Sequence, residues 1–202
     1  DDDNDSPAMI EDASIAQLAQ GNSDLSTLVT ILKSPGFEDL LAAAGSSSSD
    51  LTVFAPTNQA FADILSALGK SSLEEIPTGI LKEIVSYHIL GQSVMSTELQ
   101  NGSVPTLLSD ESVMISLTDG VKIDESSVVI PDVEASNGVV HVIDAVLLPS
   151  FVRKALGTVA EVPMFSNDFT ILTGAVRKAG LLDALVDGEA LTVFAPNNAA
   201  FE

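Results

Sequence analysis

Apolar positions recur at helical spacing through most of the first 90 residues. The pattern predicts amphipathic helices over the ranges 14–20, 25–32, 37–44, 60–68 and 80–88. A continuous apolar run from Leu51 to Ala55 interrupts them and is closed by Pro56, so it is predicted to be a strand. This part of the sequence is therefore mainly helical, with one strand.

After Gly91 the pattern changes to the two-residue period of strands. Residues 113–117 alternate, Asp119-Gly120 is a typical hairpin turn, and residues 121–123 resume the pattern. Further strand-like runs cover residues 128–133 and 138–148. Helices followed by antiparallel strands predict an α+β domain of about 140 residues.

The sequence repeats part of itself. Leu51–Phe61 reads LTVFAPTNQAF and Leu191–Phe201 reads LTVFAPNNAAF, so nine of eleven positions are identical at an offset of 140. Upstream, residues 28–41 resemble residues 172–185 at an offset of 144. The four additional residues fall in the polar stretch 45–50, where lengthening a loop costs little.

We therefore predict an acidic leader or linker over 1–13, a complete domain over 14–150, a linker over 151–157, and the N-terminal part of a second, truncated domain over 158–202. The second copy should have its helices and first strand but none of the later hairpins. Its apolar face would then lack a cover; the residues concerned are Leu172, Val176, Leu181, Leu185 and Phe194. We expect this face to pack on the first domain, to self-associate weakly with another chain, or to stay mobile.

The composition narrows the class of protein. The chain has 29 acidic and 8 basic residues and a net charge of −21, which disfavours binding to nucleic acid or to anionic membrane surfaces. An apolar share of 46% is ample for a folded core. The absence of cysteine excludes disulfides, thiolate zinc sites and cysteine nucleophiles. No apolar run approaches the length of a transmembrane helix.

Three short motifs, in order, resemble the signatures of fasciclin-like domains. The first is Leu51–Phe61, the second is Gly138–Pro149 (GVVHVIDAVLLP), and Tyr87-His88 lies between them. The resemblance implies an extracellular, secreted or cell-surface module, or a periplasmic or cell-wall one in a bacterium, in which a β-sandwich wedge packs against a helical layer. It also implies cell adhesion or surface attachment, with a receptor, matrix or polysaccharide as partner.

The resemblance suggests two partner-binding elements. In animal members the Tyr-His pair and an Asp-Ile pair are associated with adhesion, and Tyr87-His88 and Asp132-Val133 occupy those places. An exposed aspartate on a rigid loop could complete the coordination of a partner's divalent metal. The structural alternatives are a pair of buried, hydrogen-bonded rings and an ordinary acid at a strand edge.

Other chemistry is weakly indicated. Asn4 and Asn101 begin glycosylation sequons that would apply in a eukaryote. No nucleophile elbow, phosphate-binding glycine loop or His-Glu-x-x-His helix is present, so we predict no enzyme, no cofactor and no resident metal site. Nothing in their spacing requires His88 and His141 to converge, and Asp144 is a candidate partner for His141.

Two other functional classes remain open. One is a small-ligand carrier with a pocket between the helices and the sheet. The other is a calcium-dependent structural spacer in which Asp1, Asp3 and Asp5 order on binding the metal, although Ser6 stands where a calcium loop requires glycine.

Overall fold

The computed structural model of the protein describes residues 13–187 and 191–201. Its α-helices are α1 (Ile15–Gly21), α2 (Ser26–Leu32), α3 (Glu38–Gly45), α4 (Asn58–Ala67), α5 (Thr78–Tyr87), α6 (Ser150–Ala155), α7 (Glu161–Met164), α8 (Thr170–Lys178) and α9 (Leu182–Val186). Its strands are β1 (Leu51–Pro56), β2 (Ile89–Leu90), β3 (Gly102–Pro105), β4 (Ser112–Ser116), β5 (Lys122–Ile123), β6 (Ser126–Ala135) and β7 (Gly138–Ile143). The predicted leader lies outside the described residues, apart from Ala13.

The strands form one sheet in the order β2-β1-β7-β6-β5-β4-β3. Neighbouring strands pair antiparallel except β1 and β7, which run parallel. Strand β1 is buried on both faces, because Val53 and Ala55 join the core beneath the helices and Phe54 joins a second core among the hairpin strands. The predicted α+β fold is confirmed, with a mixed sheet in place of a wholly antiparallel one.

The first signature connects β1 to the helices. Thr57 is the N-cap of α4, where its Oγ1 accepts from the Ala60 N–H at 3.2 Å. Asn58 makes a separate clasp: its Oδ1 accepts from the Thr27 N–H at 2.8 Å, and its Nδ2 donates to the Ser23 carbonyl at 2.8 Å. The signature asparagine therefore fixes the start of α2 to the end of β1.

The second repeat reproduces this clasp. Asn198 Oδ1 accepts from the Ile171 N–H at 3.0 Å, and its Nδ2 donates to the Asn167 carbonyl at 2.9 Å. These partners are the positions equivalent to Thr27 and Ser23 at the offset of 144. The same sequence thus builds the same helical corner twice.

The first strand predicted for the second repeat is wrong. Within the described part of that repeat, residues 191–197 form no strand. In the first repeat, β2 and β7 supply the hydrogen bonds that make β1 a strand. Their counterparts are not among residues 158–202, so the identical LTVFAP segment has no ladder to join.

Asn137-Gly138, predicted to separate two strands, also holds the first repeat together. Asn137 is buried; its Oδ1 accepts from the Ile15 N–H at 2.8 Å and its Nδ2 donates to the Ala44 carbonyl at 3.0 Å. Gly138 has φ +140°, and a Cβ there would lie 1.9 Å from the Leu51 carbonyl oxygen. Only glycine allows β7 to approach β1 at this point.

The segment predicted to be a linker over 151–157 is largely helical. Val152 and Ala155, both in α6, are fully buried, and Met164 and Phe165 are buried in the same core. A helix forms here because one side of the segment covers the apolar surface of the first repeat. The beginning of the second repeat is therefore packed on the first.

Candidate functional site

Tyr87, at the end of α5, is fully buried. Its hydroxyl lies 2.8 Å from Asp124 Oδ2 and 3.0 Å from the Ser112 carbonyl oxygen. Burial, and then the neighbouring Asp124 carboxylate, raises the pKa of Tyr87 well above its ordinary value. Asp124 also accepts from the Met114 N–H at 2.8 Å and lies 3.9 Å from Arg153, so this phenol anchors α5 to the β4–β5 hairpin and α6.

His88 is also buried, and both ring nitrogens are used. Nδ1 lies 2.7 Å from the Ile84 carbonyl oxygen, and Nε2 accepts from the Leu147 N–H at 2.9 Å. These partners require the neutral ring with its proton on Nδ1. Burial lowers the pKa of His88 to about 4, so the ring is neutral at physiological pH. Neither ring of the Tyr-His pair reaches the surface in this conformation.

Asp132 lies at an irregular point of β6. Its φ is +55°, and the register with β7 shifts on the N-terminal side of Val133. The carboxylate accepts from the Ser96 N–H at 2.6 Å and from the Ser96 hydroxyl. The hydroxyl bond is the main reason why the pKa of Asp132 is lowered. About a quarter of the side chain is accessible to solvent (26%). The carboxylate is therefore fixed in place by Ser96 and still open to a partner on one side.

His141 supports Asp132 from below the sheet surface. The buried ring accepts from the Asp132 N–H at its Nδ1 (3.2 Å), and its Nε2 lies 3.0 Å from the Val94 carbonyl oxygen. It also stacks on Phe54, with ring centroids 5.8 Å apart. Asp144, the partner suggested by the sequence, instead accepts from Ser126 and Ser127.

Two apolar side chains beside Asp132 are exposed. Val129 is 50% exposed and Ile130 is 46% exposed, although strand alternation would bury one of them. The register shifts in β6 remove that alternation. Val133 is half-buried and packs against the helical core. We call the segment Val129–Val133 the β6 patch.

The structure describes one of the two glycosylation sequons. Asn101 is exposed just before β3, and its Oδ1 accepts from the Leu117 N–H at 2.8 Å. Its sequon therefore lies at an accessible turn, as a glycosylation site requires. Asn4 lies outside the described residues.

The structure places the sequence-predicted residues at two depths. Tyr87 and His88 are interior, whereas Asp132 is at the surface. Strand β1 connects the two places, because Phe54 donates its N–H to the His88 carbonyl and its ring stacks on His141. Sequence reasoning missed Ser96 and Asp124, which hold the two candidate elements. No short motif marks either residue, since both act across long sequence separations.

Two further features concern metals and membranes. Across residues 13–187 and 191–201, no three His, Asp or Glu side chains gather in a cluster that could hold a metal ion. Within the same residues, the helices are too short or too polar to cross a membrane.

The fold and the site define an α+β domain whose parallel β1–β7 pair carries the two signatures. The Fasciclin domain family model matches residues 23–149 and again 167–202. The chain belongs to the Fasciclin domain family.

Several known proteins are similar to this chain in sequence. Protein sll1483 of Synechocystis is 38% identical over 136 residues, which cover 67% of this chain and 73% of that protein. Human periostin is 31% identical over 177 residues, covering 81% of this chain but 19% of periostin. The cell surface glycolipoprotein MPB83 of Mycobacterium bovis is 28% identical over 137 residues, covering 67% of this chain and 60% of that protein.

A solved structure shows the same fold. It is a FAS1 domain pair from the insect cell adhesion molecule fasciclin I, matched with a TM-score of 0.50 and 19% sequence identity. The match covers 88% of this chain and 62% of that one. At this identity the likeness concerns the fold alone.

Proposed function

We propose that the chain is an extracellular or cell-surface module for adhesion or surface attachment, which acts by contacts with a protein or matrix partner and multivalently where its domains occur in tandem. Membership of the Fasciclin domain family supports this proposal, as does a relative named as a cell surface glycolipoprotein. In a tandem array, each contact raises the effective concentration of the next one.

The β6 patch is the observation that carries the proposal to particular residues. Two exposed apolar side chains, Val129 and Ile130, stand beside an aspartate whose carboxylate is fixed by Ser96. An apolar contact next to a pre-oriented charge is the arrangement expected of a specific protein-binding surface, because little conformational entropy is lost on binding. We assign partner contact to Asp132, with Val133 fixing the patch to the core.

Tyr87 and His88 have a supporting role in this proposal. Their rings hold the end of α5 against the hairpin strands and against Leu147. Loss of either ring would disturb β1, whose Phe54 N–H donates to the His88 carbonyl at 2.9 Å. Substitutions here should affect adhesion only to the extent that they destabilise the fold.

The charge of the chain limits the partner. With a net charge of −21, the surface favours a protein that is cationic or that presents a bound divalent metal. Asp132 could then complete the metal's coordination with the part of its carboxylate that Ser96 leaves accessible. Binding by this route should weaken at high salt or on removal of divalent cations.

The ligand-carrier alternative has little structural support. The apolar cavity between the helices and the sheet, lined by residues such as Ile15, Leu32 and His88, measures about 20 Å³. That volume is about enough for one water molecule and far below the space a small organic ligand needs. The calcium-spacer alternative concerns Asp1, Asp3 and Asp5, which lie outside the described residues, and stays a prediction for calcium titration with thermal melting.

The experiment measures attachment of the full chain to animal cells, to matrix protein and to polysaccharide, with divalent cations or with a chelator. Asp132→Asn is the informative variant, because asparagine tolerates the left-handed backbone while the charge is removed. We expect it to weaken cation-dependent binding to the protein surfaces by about 10-fold or more.

Asp110→Asn is the matched control. Asp110 is an exposed aspartate that also has a positive φ (65°), so the same substitution removes the same charge away from the β6 patch. Unchanged binding in the control and loss in Asp132→Asn would support the proposal. Equal binding by both variants, or attachment to no surface, would reject it.

A further inference from the structure

The second repeat places one large apolar side chain in the helical layer of the first. Phe165, just after α7, is 2% exposed and lines a small cavity together with residues from the first repeat, among them Leu68, Leu73 and Leu81. Removing a phenylalanine side chain from water is among the larger favourable contributions that a single residue makes to packing. This contact alone makes separation of the two units costly.

A polar contact lies next to this apolar one. Arg177 of α8 donates to both carboxylate oxygens of Glu83 on α5, at 2.7 and 2.9 Å. Its guanidinium also lies 4.2 Å from the centroid of the Phe151 ring. Both bonds come from the single nitrogen Nη1, and together with the cation–π contact they fix the position of the guanidinium against the first repeat. Asn167 adds a bond to the Glu74 carbonyl at 3.1 Å.

The first repeat lacks these apolar residues at equivalent positions, whereas Arg177 corresponds to another cation, Lys33. At the offset of 144, Gly21 corresponds to Phe165, Gln20 to the buried Met164, and Glu38 to Leu182. The helical corner itself is the same in both repeats, since Asn58 and Asn198 make the same clasp. The apolar residues of the second repeat therefore serve contact with the first repeat, because the corner forms without them.

We propose that the α4–α5 face of the first repeat is the docking surface for the following fasciclin repeat. In the following repeat, Phe165 makes the central apolar contact with this face and Arg177 makes the ionic contact. The two units then move as one rigid body. Domains joined by flexible linkers move independently unless their interface is substantial and apolar. The docked face is withheld from external partners, while the β6 patch is held at a fixed position relative to the next repeat.

The test measures a distance distribution by pulsed electron paramagnetic resonance in the full chain. The sequence has no cysteine, so two labels can be introduced cleanly at the exposed positions Ser47 and Ala179 through Ser47→Cys and Ala179→Cys. We expect a single narrow peak for the otherwise unchanged chain. Phe165→Gly, which installs the first repeat's residue, should replace that peak with a broad distribution.

Two further variants complete the design. Arg177→Gln removes the ionic contact with Glu83 without altering the apolar contact, and it should also broaden the peak. If Phe165→Gly fails to fold, the Arg177→Gln variant tests the proposal in its place. Ile171→Ala, at an exposed position on the same helix, should leave the peak unchanged. A broad distribution in the unchanged chain, or a peak that stays narrow in both Phe165→Gly and Arg177→Gln, would overturn the proposal.

Discussion

Leu51–Pro56 and Leu191–Pro196 have the same six residues and different structures. The first is a strand buried along its length, with Phe54 at 0% exposure; the second forms no strand, and Phe194 is 91% exposed. The difference lies in the neighbours, since β2 and β7 flank the first segment. A segment with high strand propensity therefore forms a strand only where other segments supply a sheet for it to join.

The helical corners show the opposite behaviour. Asn58 and Asn198 make corresponding hydrogen bonds in the two repeats, although one repeat has a sheet beneath its helices and the other has no strand among its described residues. Local side-chain clasps and helical periodicity are enough to form this corner. The strand depends on partners 87 residues away in sequence, as the pairing of Leu51 with Gly138 shows.

The largest effect is expected at Gly138. In Gly138→Ala the new Cβ would meet the Leu51 carbonyl oxygen at 1.9 Å, so β7 could not pair with β1. We expect the free energy of unfolding to fall by more than about 4 kcal/mol, measured by urea denaturation. Gly102→Ala is the matched control, because Gly102 has the same φ of +140° and no atom within 4 Å of the new Cβ. Its expected cost is about 1–3 kcal/mol, from backbone strain alone; equal costs would show that the close approach is unimportant.

Substituting each of the paired phenylalanines compares the two segments directly. Phe54→Ala should lower the free energy of unfolding by about 3–5 kcal/mol, because it leaves a cavity in the core. Phe194→Ala should change it by no more than about 0.5 kcal/mol, as expected for an exposed site. Chemical denaturation of both variants measures the difference. A large loss in Phe194→Ala would mean that the second segment is packed after all.

Acid should destabilise the first repeat through His88. Its folded-state pKa of about 4 lies below the ordinary 6.5, so the unfolded chain takes up the proton first as the pH falls. The stabilisation is complete above about pH 6.5 and is lost as the pH falls toward 4, by up to about 3 kcal/mol. Urea denaturation across this range measures the loss, and His88→Gln should flatten it. Ring titration of folded His88 near its ordinary pKa, followed by NMR, would contradict the assignment.

The smallest effect concerns the clasps. Asn58→Ala should cost about 1–3 kcal/mol, because the Thr27 N–H and the Ser23 carbonyl lose a partner. Asn198→Ala should produce the same local loss, seen as faster amide exchange at Ile171, with little change in the global unfolding of the first repeat. Unchanged exchange at Ile171 would argue against a common role for the two asparagines.

The sequence alone was enough to predict helices α1 to α5, strands β4 to β7 and the repeat, since each follows from local periodicity or identity. Contacts across long separations were missed: the parallel β1–β7 pair, the Tyr87–Asp124 bond and the Ser96–Asp132 bond. Nothing in a single sequence states which distant residue faces a buried hydroxyl or carboxylate.

The segment predicted to be a linker illustrates the same limit. Its apolar residues Val152 and Leu156 have no regular period long enough to mark a helix, and their role is evident only from the cover they give to α4 and α5. At the candidate site, the sequence indicated the residues but not how deeply each one is buried. In the structure Tyr87 and His88 are buried, whereas Asp132 is partly accessible.

Amide hydrogen exchange of the full chain tests the central claim, that the first repeat is held by its own sheet and the second by its docking on the first. We predict slow exchange at Phe54, whose N–H is bonded within the core, intermediate exchange in α8, and exchange near the unprotected rate at Phe194. Comparable protection at Phe54 and Phe194 would contradict the account. Unprotected exchange throughout α8 would contradict the docking of the second repeat.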